Sequence, residues 1–415
     1  MLELIFVSFF FVVIFKVTLI LNFMVLFFLY LIFMMFDDGI YLIKLALVAL
    51  SFWLIIMMFM SINFYDYKSL LSSMFIMVLI LLEICFYSDS LLFFYLGFEM
   101  SVIPVFLIIF GWGYHSNRLE ASIYMLSYTV LFSLPLLVMI MMLNKNMLLT
   151  NMIVMYMFFC AFLVKVPMFG VHLWLPRAHV EAPVFGSMIL AGVMLKLGGY
   201  GIIKLSLILG DVLLKFSSYI IIYSMMGSFY LSLICFLQSD VKMLIAYSSI
   251  VHMGVVLSGL LTMREICLNS SMFLMVGHGL CSSGLFYSMG LGYNRLHSRS
   301  LLVSKGLLNL IPLFSLYWFM FCSSNLSFPP CLSFAGELGL FIGVASWNYN
   351  MFMLIIVVNL FSSMYSIFLY SFVQHGESIQ SYSFKMLNIK ELMTMSLHWI
   401  PLNILILTLK IMCWY

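Results

Sequence analysis

The feature that most constrains this chain is the length of its apolar runs. The stretches 17–36, 45–64 and 306–336 each contain no charged residue. A helix needs about 20 predominantly apolar residues to cross the hydrocarbon core of a bilayer. Charged residues make up only 8% of the chain, against about 25% in soluble domains. So few charges cannot cover a water-facing surface, and lipid is therefore the expected solvent for most of it.

The apolar runs, separated by short polar patches, predict an all-α polytopic membrane protein with about 14 transmembrane helices. The linkers are short, so we expect no soluble domain between the helices. The predicted helices lie near residues 2–15, 17–36, 45–64, 69–87, 90–111, 121–143, 147–171, 183–207, 217–237, 242–262, 270–291, 303–346 (interrupted), 350–373 and 396–413.

Prolines interrupt two of these helices. The seventh is broken after Lys165, at Pro167, and the twelfth at Pro329 and Pro330. Proline removes a backbone donor and clashes with the preceding turn. In lipid, the freed backbone groups are tolerated only where they face protein or a water-filled cavity. Each break lies close to an ionisable residue, a pattern typical of inverted-repeat transporters with broken helices at mid-membrane.

Six ionisable side chains inside predicted membrane helices are the candidates for chemistry. They are Glu99, Lys165, Lys196, His252, His278 and Glu337. A charge at the bilayer centre costs at least about 2.5–3.5 kcal/mol on insertion scales, so such residues are functional candidates by default. Alternating acidic and basic groups in a low-dielectric interior can hand a proton from one to the next.

We therefore expect a proton relay along this set. Glu99 paired with Lys165 would keep both charged, and separating them would release the lysine proton. The proton would then pass through Lys196 and His252 or His278 toward Glu337. Each residue also has a structural alternative: a carboxylate can pair for packing alone, a lysine can snorkel to the interface, and a lone histidine is often only hydrogen-bonded.

Several other classes of function are disfavoured. The net charge of +3 is too small to suggest a nucleic-acid partner. The eight cysteines form no CxxC pair, which disfavours zinc and iron–sulfur sites. His172 and His179 lie seven residues apart, whereas helical zinc ligands are spaced by four, so a polar loop is favoured over a metal site. No phosphate-binding glycine motif is present, so we expect this chain to bind neither NADH nor flavin.

Composition also bears on origin. The chain has 37 methionines and 42 phenylalanines, residues whose codons are rich in A and T. It begins directly in apolar sequence, without the basic, serine-rich pattern of an import peptide. Both observations favour synthesis inside an organelle.

Five stretches carry a specific family resemblance. They are FLVKVPMFGVHLWLPRAHVEAPVFGSMILAGVMLKLGGYGIIKL (162–205), DVKMLIAYSSIVHMG (240–254), GHGLCSSGLFY (277–287), NRLHSR (294–299) and FPPCLSFAGEL (328–338). Together with GFEMSVIPVFLIIFGWG around Glu99, they resemble the chain 4 family of mitochondrial NADH–ubiquinone oxidoreductase (complex I), an antiporter-like proton-pumping family. The resemblance is strong over roughly residues 90–375, and the short amino end departs from it.

The resemblance implies fourteen helices with two inverted five-helix repeats. It places helices 1–3 in residues 1–68, the first repeat in 69–209, the second in 210–374, and an amphipathic connector with the last helix in 375–415. It implies that Glu99 and Lys165 are a coupled pair, that Lys196 connects them onward and that Glu337 is the terminal carboxylate. His252 and His278 match the family's central polar axis.

The resemblance further implies a place in the mitochondrial inner membrane, in contact with lipid and with other complex I subunits, especially chains 2 and 5. It implies no cofactor in this chain, because NADH, FMN, the iron–sulfur clusters and ubiquinone are used by the whole complex. The first alternative is a subunit of a stand-alone Mrp-type cation/proton antiporter. A second is a structural membrane scaffold, which leaves the buried charges without a purpose.

Overall fold

The protein is described here by a computed structural model that covers residues 17–37, 42–62, 68–143, 152–377 and 386–413, together with Ser8 and Phe11. Within these ranges the chain is helical, and the only β pairing is one bridge between Asp240 and Ser300. The predicted all-α fold is therefore confirmed. The predicted first helix near 2–15 lies outside the described residues, apart from Ser8 and Phe11.

Eighteen α-helices are numbered here in chain order. The first nine are α1 Val17–Asp37, α2 Leu42–Ser61, α3 Lys68–Tyr87, α4 Leu91–Met100, α5 Val102–Trp112, α6 Arg118–Leu143, α7 Met152–Lys165, α8 Trp174–Glu181 and α9 Val184–Ile189. A π-helical turn, Leu190–Met194, joins α9 to α10. The other nine are α10 Leu195–Leu209, α11 Asp211–Cys235, α12 Val241–Leu261, α13 Glu265–Leu296, α14 Leu307–Leu310, α15 Pro312–Asn325, α16 Leu332–Trp347, α17 Met351–Gln374 and α18 Ile389–Ile404, which continues as the 3₁₀ segment Leu405–Met412.

These helices are those of a multi-pass membrane protein. Over the described ranges, nine helical segments are long and apolar enough to cross a membrane, and three shorter apolar helices accompany them. Many large apolar side chains, such as Leu26, Leu131 and Met353, are exposed on the outer faces of the helices. A surface in contact with water rarely exposes so many of them together. Lipid is the solvent that this surface fits.

Both predicted interruptions are present. Helix α7 ends at Lys165, two residues before Pro167, and α8 begins only at Trp174. Helix α15 ends at Asn325, and α16 begins at Leu332, after the cis peptide bond between Pro329 and Pro330. In both places the regular hydrogen bonding of the helix is interrupted near a proline, which has no backbone N–H to donate.

Contacts divide the chain into two compact units. Unit 1 contains Met1–Val166, Glu181–Phe216 and Lys410–Tyr415, and unit 2 contains Pro167–Val180 and Ser217–Leu409. This division follows packing and does not test the predicted inverted repeats, whose boundaries stay a prediction.

Glycines allow close helix contacts inside unit 1. A Cβ on Gly97 of α4 would lie 3.0 Å from the backbone nitrogen of Cys85 on α3. A Cβ on Gly198 of α10 would lie 2.9 Å from the backbone nitrogen of Val166 and 3.1 Å from Cβ of Lys165. Small residues at such crossings let membrane helices approach backbone to backbone. The end of α7, which carries Lys165, is therefore held against α10.

In unit 2, glycines likewise allow a close contact between α13 and α16. A Cβ on Gly336 would lie 2.7 Å from the backbone nitrogen of Leu274, and one on Gly277 would lie 3.0 Å from that of Ser333. The two helices thus present a glycine to each other's backbone. This contact fixes the height of α16 along α13, and with it the position of Glu337, the residue after Gly336.

Candidate functional site

In unit 1, Lys165 is buried at the last position of α7, with 3% of its surface exposed. Its ammonium donates a 2.6 Å hydrogen bond to the carbonyl oxygen of Phe98. The nitrogen also lies 3.3 Å from the centroid of the Phe98 ring, where the negative face of the ring attracts a cation. One residue of α4 thus offers Lys165 both a carbonyl and an aromatic face.

Glu99 follows Phe98 and lies close to the end of α4, which is separated from α5 by Ser101. Its carboxylate interacts with the Ser133 hydroxyl of α6 and electrostatically with Lys165. One of its oxygens, Oε1, is buried without a hydrogen-bond partner. Glu99 and Lys165 are therefore neighbours, although the ammonium donates to the adjacent carbonyl. The interruption at Ser101 was not predicted, since the sequence indicated one continuous helix over 90–111.

Lys196 is fully buried in α10, two residues after the end of the π-helical segment. Its ammonium donates to the carbonyl oxygen of Ala191 at 2.5 Å. Ala191 lies within the π turn, where the widened helix changes the backbone pairing. Such turns occur frequently at functional sites. The sequence predicted a buried lysine here but not the π turn that supplies its acceptor.

Two more side chains follow Lys196 along one face of α10, at intervals of four residues. The Tyr200 hydroxyl donates to the carbonyl oxygen of Phe86 at 2.9 Å. The Lys204 ammonium donates to the carbonyl oxygen of Ser88. Residues spaced by four lie one above another on a helix, so these polar groups form a line toward the end of α10.

In unit 2, His252 connects two other side chains. Its Nδ1 lies 3.0 Å from Oε1 of Glu337, and its Nε2 lies 3.1 Å from the hydroxyl oxygen of Tyr365. All three residues are at most 6% exposed. They come from α12, α16 and α17, so the connection depends on tertiary packing. Tyr365 could not be recognised from the sequence, because a tyrosine in an apolar helix carries no distinguishing signal.

His278 of α13 lies beside this trio. Its ring centroid is 5.8 Å from that of His252. A small cavity is lined by both histidines and Glu337, with Ser324, Ser333 and Asn325 completing its polar wall. The Asn325 amide nitrogen is buried there without a hydrogen-bond partner. A cavity with this lining provides the polar contacts that a buried water requires.

The six predicted residues thus fall into two sets of three, one set in each unit. Glu99, Lys165 and Lys196 lie in unit 1, and His252, His278 and Glu337 lie in unit 2. Glu99 lies next to Lys165 in the first set, and His252 lies next to Glu337 and His278 in the second. Proton transfer from one set to the other stays a prediction.

Sequence reasoning overlooked one buried carboxylate. Glu83 of α3 is fully buried and accepts a 2.8 Å hydrogen bond from the Ser8 hydroxyl. The rule used for the other candidates, a charge within an apolar run, would have selected it too.

The polar loop predicted around His172 and His179 is wrong in part, because His172 lies just before α8 and His179 lies within that helix. Packing fixes both rings. Nδ1 of His172 accepts the Gly170 backbone N–H at 3.2 Å, and the His179 ring stacks on Phe286 with centroids 4.5 Å apart. Among the residues the structure describes, no three His, Cys, Asp or Glu side chains form a metal-binding group.

Comparison with known proteins identifies the family to which the chain belongs. Residues 88–363 match the family model described as NADH:quinone oxidoreductase/Mrp antiporter, transmembrane. The NADH-ubiquinone oxidoreductase chain 4 of Ceratitis capitata is 47% identical over 391 residues, covering 90% of this chain and 87% of that relative. The same chain of Aedes aegypti is 47% identical over 326 residues, covering 75% of this chain and 73% of the relative.

Solved structures with the same fold are more distant in sequence. A chain of respiratory complex I from Thermus thermophilus with bound NADH superposes with a TM-score of 0.76 at 22% identity, covering 86% of this chain and 80% of that one. A chain of the archaeal membrane-bound sulfane sulfur reductase gives 0.80 at 20% identity, covering 88% and 64%. A chain of the Mrp complex from Dietzia sp. DQ12-45-1b gives 0.75 at 16% identity, covering 83% and 68%.

At these identities the solved structures establish only the shared fold, whereas the curated relatives are similar over most of both chains. The fold, the matched family model and the high identity to chain 4 sequences agree with the resemblance seen in the motifs. This chain is a member of the NADH–ubiquinone oxidoreductase chain 4 family.

Proposed function

We propose that this chain is a membrane subunit of a proton-translocating NADH–ubiquinone oxidoreductase, and that it carries protons through the buried ionisable residues of its two units. The observation that carries the proposal is the contact between His252 and Glu337, reinforced by Tyr365, buried between the membrane helices α12, α16 and α17. Burying such groups is costly in a membrane protein, so a role in packing alone is a poor account of them.

In unit 1, Lys165 is the group whose protonation can be switched. Its ammonium is held by the carbonyl and ring of Phe98, and the charge of Glu99 lies next to it. Moving or protonating Glu99 removes a negative charge that stabilises the ammonium. The lysine then loses its proton more readily to the next acceptor, which we propose is reached through Lys196.

In unit 2, His252 is placed to pass a proton between a carboxylate and a phenol. Each of its ring nitrogens faces one of these groups at hydrogen-bond distance. An imidazole can accept a proton on one nitrogen and release it from the other. We propose that Glu337 is the terminal carboxylate of this path and that His278 borders the same cavity as a second acceptor.

The location of the chain and its neighbouring subunits are also part of the proposal. Chain 4 relatives are named as subunits of NADH–ubiquinone oxidoreductase, so NADH, FMN, the iron–sulfur clusters and ubiquinone would be used by other subunits. We propose the mitochondrial inner membrane as the location, with the antiporter-like chains 2 and 5 as neighbours. Energy from electron transfer must then reach this chain through protein contacts.

The alternative is a subunit of a stand-alone Mrp-type antiporter, because the matched family model includes those proteins. The 47% identity to chain 4 of Ceratitis capitata favours the respiratory role, whereas the Mrp chain is only 16% identical.

Native gel electrophoresis of mild-detergent extracts distinguishes the two. Staining for NADH oxidation, followed by mass spectrometry of the stained band, is expected to find this chain there. Its presence only in a smaller assembly without NADH activity would favour the antiporter and contradict the respiratory role.

A substitution then tests the proton path in the assembled complex. Glu337→Gln keeps the side-chain shape but removes the carboxylate. We expect it to lower NADH-driven proton uptake into reconstituted vesicles by about tenfold or more. Glu377→Gln is the matched control, because Glu377 is exposed beyond the end of α17. Equal uptake in both variants, at equal complex content, would remove Glu337 from the path.

A further inference from the structure

A second line of polar side chains in unit 2 lies outside the relay described above. At the end of α13, Arg295 forms a 2.6 Å ion pair with Glu391 of α18. The same carboxylate oxygen of Glu391 accepts the backbone N–H of Asn388 at 3.0 Å, which caps α18. The ion pair is mostly buried, with 11% and 10% of the two side chains exposed. The neighbouring residues Met386, Asn388 and Lys390 are exposed.

Deeper along the same two helices, Tyr287 and His398 face each other. Their ring centroids are 6.1 Å apart and the rings are nearly parallel, at 10°. The Tyr287 hydroxyl bonds to the side chain of Thr394 and lies in the electrostatic field of Glu391 and Arg295. The ion pair and the aromatic pair therefore belong to one connected group.

His398 is bound in a way that leaves one nitrogen available. Its Nδ1 lies 2.8 Å from the carbonyl oxygen of Thr394, one turn earlier in α18. A carbonyl oxygen only accepts, so Nδ1 must carry the hydrogen. In the neutral ring Nε2 is then a lone-pair acceptor. Nε2 is buried without a hydrogen-bond partner, and the residue is fully inaccessible to solvent.

The spacing along the helices places this nitrogen at a depth between that of the Arg295–Glu391 pair and that of the relay. His398 is seven residues from Glu391, and Tyr287 is eight from Arg295, so each lies about 10–12 Å deeper than the ion pair. His278 lies nine residues further along α13, about 14 Å deeper again. Between them α13 carries Cys281, which accepts the Ser324 hydroxyl at 3.1 Å. Cys281 and Ser324 both line the cavity that contains His252 and Glu337.

We propose that His398 is a proton-transfer residue on a branch that connects the Arg295–Glu391 end of α13 with the His252–Glu337 cavity. In each transfer, Nε2 gains a proton to form an imidazolium and then loses the same proton, while Nδ1 keeps its bond to Thr394. Only N–H bonds form and break. This inference rests on the proposed proton transport and adds a branch, through α18, that the six relay residues do not include.

The test is a His398→Asn variant of the whole complex, reconstituted in vesicles and driven by NADH and a short-chain ubiquinone. The asparagine amide can still donate to Thr394 but cannot accept a proton. We expect proton uptake per assembled complex to fall by about tenfold or more, and its solvent deuterium isotope effect to rise. His375→Asn is the matched control, because His375 is an exposed histidine at the end of α17.

Each outcome decides a separate point. Wild-type uptake and isotope effect in His398→Asn, with loss in Glu337→Gln, overturn the branch and leave the proposed function standing. Wild-type uptake in both variants contradicts the proposed relay itself. If His398→Asn does not assemble, His398→Gln replaces it, since the longer amide side chain fills more of the histidine's space and likewise cannot accept a proton. Lower uptake with a raised isotope effect then supports the branch, and unchanged values refute it.

Discussion

Replacing Gly336 with alanine tests whether the contact between α13 and α16 positions Glu337. The added Cβ would lie 2.7 Å from the backbone nitrogen of Leu274 and 2.9 Å from its Cα. An ordinary contact begins at 3.4 Å, so the helices must separate by about 0.7 Å, because backbone atoms of a packed core cannot rotate away. Overpacking of this kind costs about 1–3 kcal/mol, and the better helix propensity of alanine offsets about 0.5–1 kcal/mol of it.

The same displacement acts on the proton path. The distance from Glu337 to His252 is 3.0 Å. Because Glu337 is the next residue on α16, a shift of about 0.7 Å misaligns its carboxylate with the His252 ring, and the part of the shift along the bond lengthens it toward the limit of a hydrogen bond. We expect proton uptake to fall by about tenfold, since small misplacements of reacting groups are costly. Thermal unfolding of the detergent-solubilised complex should show a modest loss of stability.

Gly292→Ala in α13 is the control for this experiment. A Cβ there would meet only the tip of the Phe314 ring, at 3.9 Å, so neither stability nor uptake should fall. If Gly336→Ala has the same stability and uptake as the Gly292→Ala variant, the argument that this glycine sets the position of Glu337 is wrong.

Two further predictions concern single charges. Lys165→Met removes the buried ammonium that donates to the Phe98 carbonyl and neighbours Glu99, so we expect lost proton uptake together with lower thermal stability, because the carbonyl and the carboxylate are left unpaired; uptake at the wild-type rate would exclude this lysine from the path. Asp89 lies between α3 and α4, and its hydrogen bond to Lys44 at 2.6 Å, with the charge of that lysine, lowers the pKa of the carboxyl. A lowered folded pKa stabilises the protein above the unfolded value of about 3.9, and this contribution is lost as the pH falls through the folded value. The difference in melting temperature between the wild type and Asp89→Asn should therefore be small at neutral pH, because exposed pairs contribute at most about 1 kcal/mol. It should begin to shrink below about pH 4 and vanish once the pH is below the folded pKa; a difference that persists there would contradict the ion-pair explanation.

The membrane class and the two helix breaks could be predicted from the sequence because they depend on local composition. Apolar runs of spanning length exclude a water-facing surface wherever they occur. Pro167 and Pro330 interrupt hydrogen bonding in any helix that contains them. The six ionisable residues were visible for a similar reason, since a charge in an apolar run is costly whatever its neighbours are. Glu83 in α3 carries the same signal, because it too is a charge within an apolar run.

The contacts that give those residues their chemistry were decided by tertiary structure alone. The link from Glu337 through His252 to Tyr365 joins α12 to two helices, α16 and α17, that follow it much later in the sequence, with Tyr365 lying 113 residues after His252. The π turn that offers the Ala191 carbonyl to Lys196 leaves no clear mark in the local sequence. Hydropathy determines that a helix is inserted in the membrane. Which of its faces meets which neighbour depends on close packing of many side chains at once, and no single stretch of sequence contains that information.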